Sequence, residues 1–337
     1  MLITIKKSAE ADEIQKIRQL LDRNKLRHSV CKTISQTMIG LEVNPSKEVT
    51  ETLNQMSVVE TATPIATPYK LASLAAKPEK TVICIKGVEI GSDRVVLMAG
   101  PCAIESREQL SRIAFQLRDS GVAVIRGSAY KPRTSPYSFQ GMEEEGLKIH
   151  REVQKEHRML IETEVMDVRD VALVADHVDI LRIGARNMQN FSLLKEVGKC
   201  GKPVILKRGI CATIEEWLMS AEYIMSHGNH EVILCERGIR TFETATRSTL
   251  DLSSIAVLKR LTHLPVIVDP SHAAGRKDII PALSKAAIAV GADGLLIEVH
   301  DEPQNAKCDG KQALLPRELI ALVSDLRKVA AAVGRYL

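Results

Sequence analysis

From residue 95 onward the chain repeats one pattern eight times: a short, continuous apolar run followed by a longer stretch with helical spacing. The runs are Val95–Ala99, Val122–Arg126, Leu160–Glu164, Ile180–Ile183, Val204–Lys207, Val232–Cys235, Val266–Val268 and Leu295–Val299. Helical stretches separate or follow them, among them Arg107–Ser120, Ile214–Ser226, Lys277–Val290 and Pro316–Val333. A strand that is apolar on both faces has to be covered on both, which is the condition of a parallel strand in an α/β protein. Eight such units in about 240 residues predict a closed (β/α)8 TIM barrel, whose usual length is about 250 residues. An open doubly wound sheet fits less well, because no glycine-rich dinucleotide loop follows the first run.

The preceding residues carry a different rhythm. Strand Leu2–Ile5 is followed by a helix over Ala11–Asn24, with Ile14, Ile17, Leu20 and Leu21 on one stripe. Strands Arg27–Thr33 and Met38–Val43, helix Ser46–Gln55 and strand Val58–Ile65 complete the order βαββαβ, a small ferredoxin-like arrangement. The prolines from Pro64 to Pro78 read as a linker, and Thr81–Gly91 as a hairpin able to plug one end of the barrel. The expected division is a ferredoxin-like unit over 1–66, linker and capping hairpin over 67–94, and the catalytic barrel over 95–337.

Composition narrows the function. A net charge of +4 gives no global field for nucleic acid or an anionic membrane, and 3% aromatic residues offer few stacking platforms for single strands. Neither nucleic acid nor membrane is therefore an expected partner. The N-terminus has no uninterrupted apolar core of a signal peptide, and no apolar run approaches the ~20 residues that span a bilayer. The seven cysteines are scattered without a CxxC pair, which fits a reducing cytoplasm and leaves a thiol available for metal.

A (β/α)8 barrel builds its site at the C-terminal strand ends. Two sets of residues collect there. Cys102, His272, Glu298 and Asp309 offer a thiolate, an imidazole and two carboxylates, a mixed set suited to Mn, Fe, Co or Zn. Taken singly, each also reads as a buried small residue, a turn residue or a solvated carboxylate. Arg126, Lys131, Arg133, Arg186, Lys207 and Arg237 form the second set. Cations at strand ends need anions, and phosphate and carboxylate match them. Structural pairing with Glu164, Glu236 and Asp269 is the competing reading.

Gly100-Pro101-Cys102, KPRTSPYSFQG (131–141), IGARN (183–187), LKRG (206–209), CERGIRTFE (235–243), DPSH (269–272) and EVH (298–300) follow one another in an order that resembles the 3-deoxy-D-arabino-heptulosonate 7-phosphate (DAHP) synthases. The resemblance covers essentially the whole chain and is to the type I-beta form with an N-terminal ferredoxin-like domain. It implies an aldol-type condensation: C3 of phosphoenolpyruvate attacks the aldehyde of erythrose 4-phosphate, water adds to C2 and phosphate leaves, opening the shikimate pathway to aromatic amino acids. It implies Cys102, His272, Glu298 and Asp309 as ligands of a divalent metal. Arg126, Lys131, Arg186, Lys207 and Arg237 match the phosphoenolpyruvate site, Arg133 and Thr134 the erythrose 4-phosphate site, with Asp269 beside the substrate set. Lys131, Glu164, Cys102 and His272 are the expected catalytic residues, Glu164 orienting the attacking water.

The sister 3-deoxy-manno-octulosonate 8-phosphate synthases take arabinose 5-phosphate and typically read KANRS where this chain reads KPRTS, so the heptulosonate reaction is expected. A non-catalytic metabolite sensor would show a lost ligand or cation, and none of the matched positions is lost. The resemblance further implies a homo-oligomer, a tetramer, and an N-terminal domain that binds tyrosine or phenylalanine. Ser29 and Cys31 are the first positions to inspect for that effector; regulated relatives present His and Ser there. Cys308 neighbours Asp309, so Cys102 and Cys308 are expected to approach each other, with oxidation to a disulfide when metal is absent.

Overall fold

The computed structural model describes residues 1–32, 37–65 and 67–337. Its first part runs β1 (Leu2–Ile5), α1 (Ala11–Arg23), β2 (His28–Lys32), β3 (Thr37–Leu41), α2 (Lys47–Gln55) and β4 (Val59–Thr63). The four strands pair antiparallel in the order β2-β3-β1-β4, the ferredoxin-like arrangement. Alternation along β1 explains the layering: Ile3 and Ile5 face a core shared with Ile17 and Leu21 of α1 and Val49 and Leu53 of α2. Leu2, on the opposite face, joins the large core of the rest of the chain. Ser46 proves to be the N-cap of α2 rather than its first residue, its Oγ accepting the Val49 N–H at 3.4 Å. The expected strand end at Thr33 lies outside the described residues.

A hairpin follows, β5 (Ile83–Ile85) and β6 (Val88–Ile90). Lys86 and Gly87 turn it with φ of 47° and 87°, the paired positive values of a tight two-residue turn. Ile83, Ile85 and Ile90 pack onto Met98, Leu160, Ile180 and Ile267, which point into the barrel. The hairpin thus closes the N-terminal end of the barrel, and the opposite end stays free for chemistry.

Eight parallel strands form a closed barrel: β7 (Val96–Gly100), β8 (Val122–Arg126), β9 (Leu160–Glu164), β10 (Ile180–Ile183), β11 (Val204–Lys207), β12 (Val232–Glu236), β13 (Val266–Val268) and β14 (Gly294–Glu298). Closure comes from β14 beside β7, with Leu296 opposite Met98 and Glu298 opposite Gly100. The covering helices include α3 (Arg107–Leu117), α4 (Glu143–His157), α5 (Val171–His177), α6 (Phe191–Val197), α7 (Ile214–Ser226), α8 (Leu252–Leu261), the one-turn α9 (Pro270–Ala274), α10 (Ile280–Ala289) and α11 (Pro316–Ala332). Helix α7 begins on a capping box, Thr213 Oγ1 accepting from Glu216 N while Glu216 accepts from Thr213 N. The helical stretch expected from Lys277 opens instead as a 3-10 turn over Lys277–Ile279, because Pro281 has no N–H to continue an α ladder backwards.

The segment joining the two parts is fastened to the barrel at Leu71. Glu222 of α7 accepts the N–H groups of Leu71 and Ala72 at 2.9 and 3.0 Å, and His263 Nε2 lies 2.7 Å from Leu71 O. Since a carbonyl only accepts, His263 carries its proton on Nε2, and Nδ1 takes the Thr81 hydroxyl at 2.8 Å. No helix among the described residues is long and apolar enough to cross a membrane.

Candidate active site

The C-terminal strand ends surround a cavity of about 460 Å³ lined by Lys131, Arg133, Thr134, Glu164, Arg182, Arg186, Lys207, Arg237, Arg247, His272, Cys308 and Asp309, among others. At one side the ligand atoms of Cys102, His272, Glu298 and Asp309 all lie within 4.8 Å of one another. Four segments deliver them. Cys102 follows β7, His272 sits on α9, Glu298 ends β14, and Asp309 stands in a left-handed conformation (φ 53°) just before a 3-10 turn.

Backbone requirements explain part of this placement. Gly100 has φ 154°, and a Cβ there would fall 2.2 Å from Arg126 O, so only glycine lets β7 run this close to β8 as it turns toward Cys102. A Cβ on Gly184 would lie 2.0 Å from Glu164 Oε1; the missing side chain is the space Glu164 occupies.

Asp269 orients the histidine. It caps α9, accepting His272 N–H on Oδ1 at 2.9 Å and His272 Nδ1–H on Oδ2 at 2.7 Å. That fixes the tautomer and leaves Nε2 bare, 3.2 Å from Glu298 Oε1 and 3.8 Å from Asp309 Oδ2. Burial holds His272 down at about 4, so the imidazole is neutral near pH 7. Asp269 also pairs with Lys207. Burial alone would raise its carboxyl, but His272 and Lys207 outweigh that and hold it well below the usual range.

Cys102 is buried among three partners: Lys131 Nζ at 3.0 Å, Cys308 Sγ at 3.3 Å and Asp309 Oδ2 at 3.3 Å. The hydrogen bond with Cys308, then burial, pushes the Cys102 thiol well above its ordinary value, against the pull of Lys131. Burial likewise pushes Glu298 up to about 7. Asp309 goes the other way, to about 2, as His272 and Arg247 overcome the cost of burial.

The cations divide by what they already hold. Lys207 is paired with Asp269, as the structural reading of that set anticipated. Glu236 is taken by Arg208 at 2.9 Å, and Glu164 lies 3.8 Å from Arg182, so neither neutralises the other expected cations. Arg237 is 5% exposed, yet its partners are Gly238 O, Ser248 Oγ and His272 O, all neutral. Lys131 is 6% exposed and holds Cys102 O and Sγ. Arg186 is exposed, with Nη1 3.4 Å from Pro132 O. Among the described residues, no carboxylate lies within ion-pair distance of any of these three.

Two expected substrate residues lie outside the cavity wall. Arg126 is fully buried beneath it, Nη2 3.3 Å from Glu298 Oε1 and Nε 4.0 Å from Glu162. Asp269 is likewise buried, with both oxygens held by protein groups. Thr134 is exposed on the cavity wall, and Arg133 is half-buried beside it, its Nη1 buried without a hydrogen-bond partner. Sequence reasoning missed Arg182, Glu162, Arg247 and Gln312. Arg182 and Glu162 had a signal, since a charge inside a strand apolar on both faces must be paired, and these two pair at 3.0 Å. Arg247 lies in a loop and Gln312 at the end of a short 3-10 turn, with no local pattern to mark either. Ser29 is remote from this site, lining a cavity of about 720 Å³ with Arg27, His28, Lys70 and Glu222. The side chain of Cys31 lies outside the described residues.

The sequence profile of the DAHP synthetase I family matches residues 69–334, the whole barrel and its capping hairpin. This chain belongs to the DAHP synthetase I family. A phospho-2-dehydro-3-deoxyheptonate aldolase of Thermotoga maritima is 46% identical over 334 residues, 99% of each chain. The crystal structure of a Thermotoga maritima DAHP synthase superposes with a TM-score of 0.80 at 45% identity, covering 99% of this chain and 98% of that one. A 2-dehydro-3-deoxyphosphooctonate aldolase of Acidithiobacillus ferrooxidans is 35% identical over 235 residues, 64% of this chain and 83% of its own. Likeness to the heptonate member covers 99% of this chain and so includes the N-terminal sheet, whereas the octonate match covers 64%.

Proposed function

We propose that this chain condenses phosphoenolpyruvate with erythrose 4-phosphate and water, giving 3-deoxy-D-arabino-heptulosonate 7-phosphate and inorganic phosphate. The observation that carries the reading is a cavity where Lys131, Arg186 and Arg237 meet no carboxylate beside a four-residue ligand cluster. Burying a guanidinium against neutral groups alone is costly, and an incoming phosphate or carboxylate repays the cost. Burial lowers the proton affinity of Arg237, the expected sign for a cation awaiting its anion.

Cys102, His272, Glu298 and Asp309 fit a divalent ion. His272 presents a bare Nε2, and Glu298 Oε1 is buried without a hydrogen-bond donor. One soft, one intermediate and two hard donors suit Mn, Fe, Co or Zn. When bound, such an ion supplies Lewis acidity toward an aldehyde oxygen.

The chain's own groups do the remaining work. Lys131, Arg186, Lys207 and Arg237 hold the carboxylate and phosphate of phosphoenolpyruvate, with Arg126 reinforcing the field from beneath. Arg133 and Thr134 at the rim take the phosphate of the sugar. Fixing both substrates aligns C3 of phosphoenolpyruvate with the aldehyde carbon. Glu164, set against Gly184, orients the water that adds to C2 as phosphate departs. In heavy-oxygen water the released phosphate then carries no label, and its release requires both substrates; label in the phosphate contradicts this assignment of the water.

The octonate reaction is the weaker alternative, since Arg133 follows Pro132 in the loop where those enzymes typically carry KANRS. Residues 1–66, 67–94 and 95–337 are taken as regulatory unit, linker with cap, and catalytic barrel. The Ser29 cavity is the proposed aromatic amino acid site, a tetramer the proposed assembly, and the cytoplasm the proposed location. Inhibition curves with each aromatic amino acid and sedimentation of the full chain test the first two.

A further inference from the structure

We propose that Gln312 and Arg247 are positioning residues that make the two carboxylates of the cluster each present a single oxygen to a divalent ion. The proposal rests on the reading of Cys102, His272, Glu298 and Asp309 as metal ligands.

Gln312 is buried at the end of the 3-10 turn that follows Asp309. Its Nε2–H donates to Glu298 Oε2, and its Oε1 accepts from Arg247 Nη1 at 3.3 Å. The amide cannot be reversed: its oxygen would then meet a carboxylate oxygen and its NH2 a guanidinium. With Oε2 engaged, Glu298 turns Oε1 toward His272 Nε2 at 3.2 Å; Arg126 Nη2 faces that oxygen at 3.3 Å as an ion pair without hydrogen-bond geometry. Asp309 shows the same division. Arg247 Nη1 lies 3.4 Å from Oδ1, while Oδ2 faces Cys102 Sγ at 3.3 Å and His272 Nε2 at 3.8 Å.

One amide and one guanidinium therefore hold the outer oxygen of both carboxylates, leaving the inner ones for the ion. The clamp is itself anchored. Arg247 N–H donates to Ala274 O at 3.1 Å, and Ser248 N–H to Ala273 O at 2.8 Å, both on the helix that carries His272. Gly275 sits against Arg247, where a Cβ would fall 2.5 Å from Arg247 Cβ. Glu298, Asp309 and His272 are thus tied together through groups that never touch the ion. Outer partners of metal ligands typically contribute about 10–100-fold to metal affinity.

The test is titration of the metal-free full chain with Co2+ against a competing chelator, reading both Kd and the visible d–d bands. Gln312→Met keeps the volume and removes both hydrogen bonds. It is expected to weaken Co2+ binding by about 10–100-fold and to shift the bands, as Glu298 becomes free to rotate. Arg247→Met, at an exposed position, is expected to weaken binding by a smaller factor and to shift the bands in the same sense. An unchanged Kd and an unchanged spectrum in Gln312→Met overturn the proposal. Should Gln312→Met not fold, Arg247→Met decides in the same way. Wild-type protein with no Co2+ binding that depends on Cys102 removes the metal centre itself, and this role with it.

Discussion

At Cys102 two neighbours pull one sulfur in opposite directions: the hydrogen bond with Cys308 keeps its proton on, and Lys131 at 3.0 Å favours its loss. Burial adds to the first and also raises Glu298 to about 7. A divalent ion needs both groups deprotonated, so its binding releases protons. Metal Kd is therefore expected to fall as pH rises between about 6 and 8; a pH-independent Kd by chelator competition contradicts this. Cys102→Ala is expected to weaken metal binding by more than about 100-fold, beyond the effect of losing an outer partner. Lys131→Met is expected to lower kcat/KM by on the order of 10²–10³, the scale for losing one charge-stabilising group. With Cys308 3.3 Å away, hydrogen peroxide acting on the metal-free chain should convert the two thiols to a disulfide and two waters, with activity restored by added thiol. Cys308→Ser should abolish the thiol-reversible component; its persistence sinks the idea. Cys102, His272 and Glu298 were legible because they lie at or just beyond strand ends, whereas Asp309 stands farther out, in the loop after β14. Asp269 and Arg126 were read as substrate residues but lie buried beneath the cavity, since depth leaves no trace in local sequence. Gln312 and Arg247 left no such trace, because they meet Glu298 and Asp309 from 14 and 62 residues away and each other from 65.

At the scale of elements, all eight barrel strands fall within a residue or so of the apolar runs, because a strand sealed on both faces is apolar except where buried charges pair, as Glu162 and Arg182 do. Helix starts were less legible wherever a cap or proline sets them, as at Ser46 and Pro281. Helix α4 carries His150 into full burial against the barrel, and desolvation holds it near 4 instead of 6.5. As pH falls through 6.5 the unfolded chain binds a proton that the folded chain refuses. The stability is complete above that value and is lost toward pH 4, at up to ~1.4 kcal/mol per pH unit. Denaturant unfolding of His150→Leu should therefore show a shallower decline than wild type between about pH 6 and 4.5; equal slopes assign the acid sensitivity elsewhere. His263 shifts in the same direction, so part of the decline remains in the variant.

At the scale of the molecule, the N-terminal sheet has its own apolar core and meets the barrel through Leu2 and the Leu71 fastening. A fragment starting at residue 70 is expected to retain catalysis and to lose any inhibition by aromatic amino acids; inhibition that survives truncation moves the effector site into the barrel. Domain order was readable from the change of period near residue 95, whereas the Glu222 and His263 contacts join positions about 150 to 190 apart and had no sequence signature. The central claim is that the KPRTS loop and the four-ligand cluster together make a heptulosonate synthase. Phosphoenolpyruvate consumption by metal-loaded full chain, with erythrose 4-phosphate or arabinose 5-phosphate and with EDTA as control, tests it most directly. Turnover with erythrose 4-phosphate alone, abolished by EDTA and restored by metal, is the expected result. Preference for arabinose 5-phosphate, or turnover indifferent to EDTA, would contradict it.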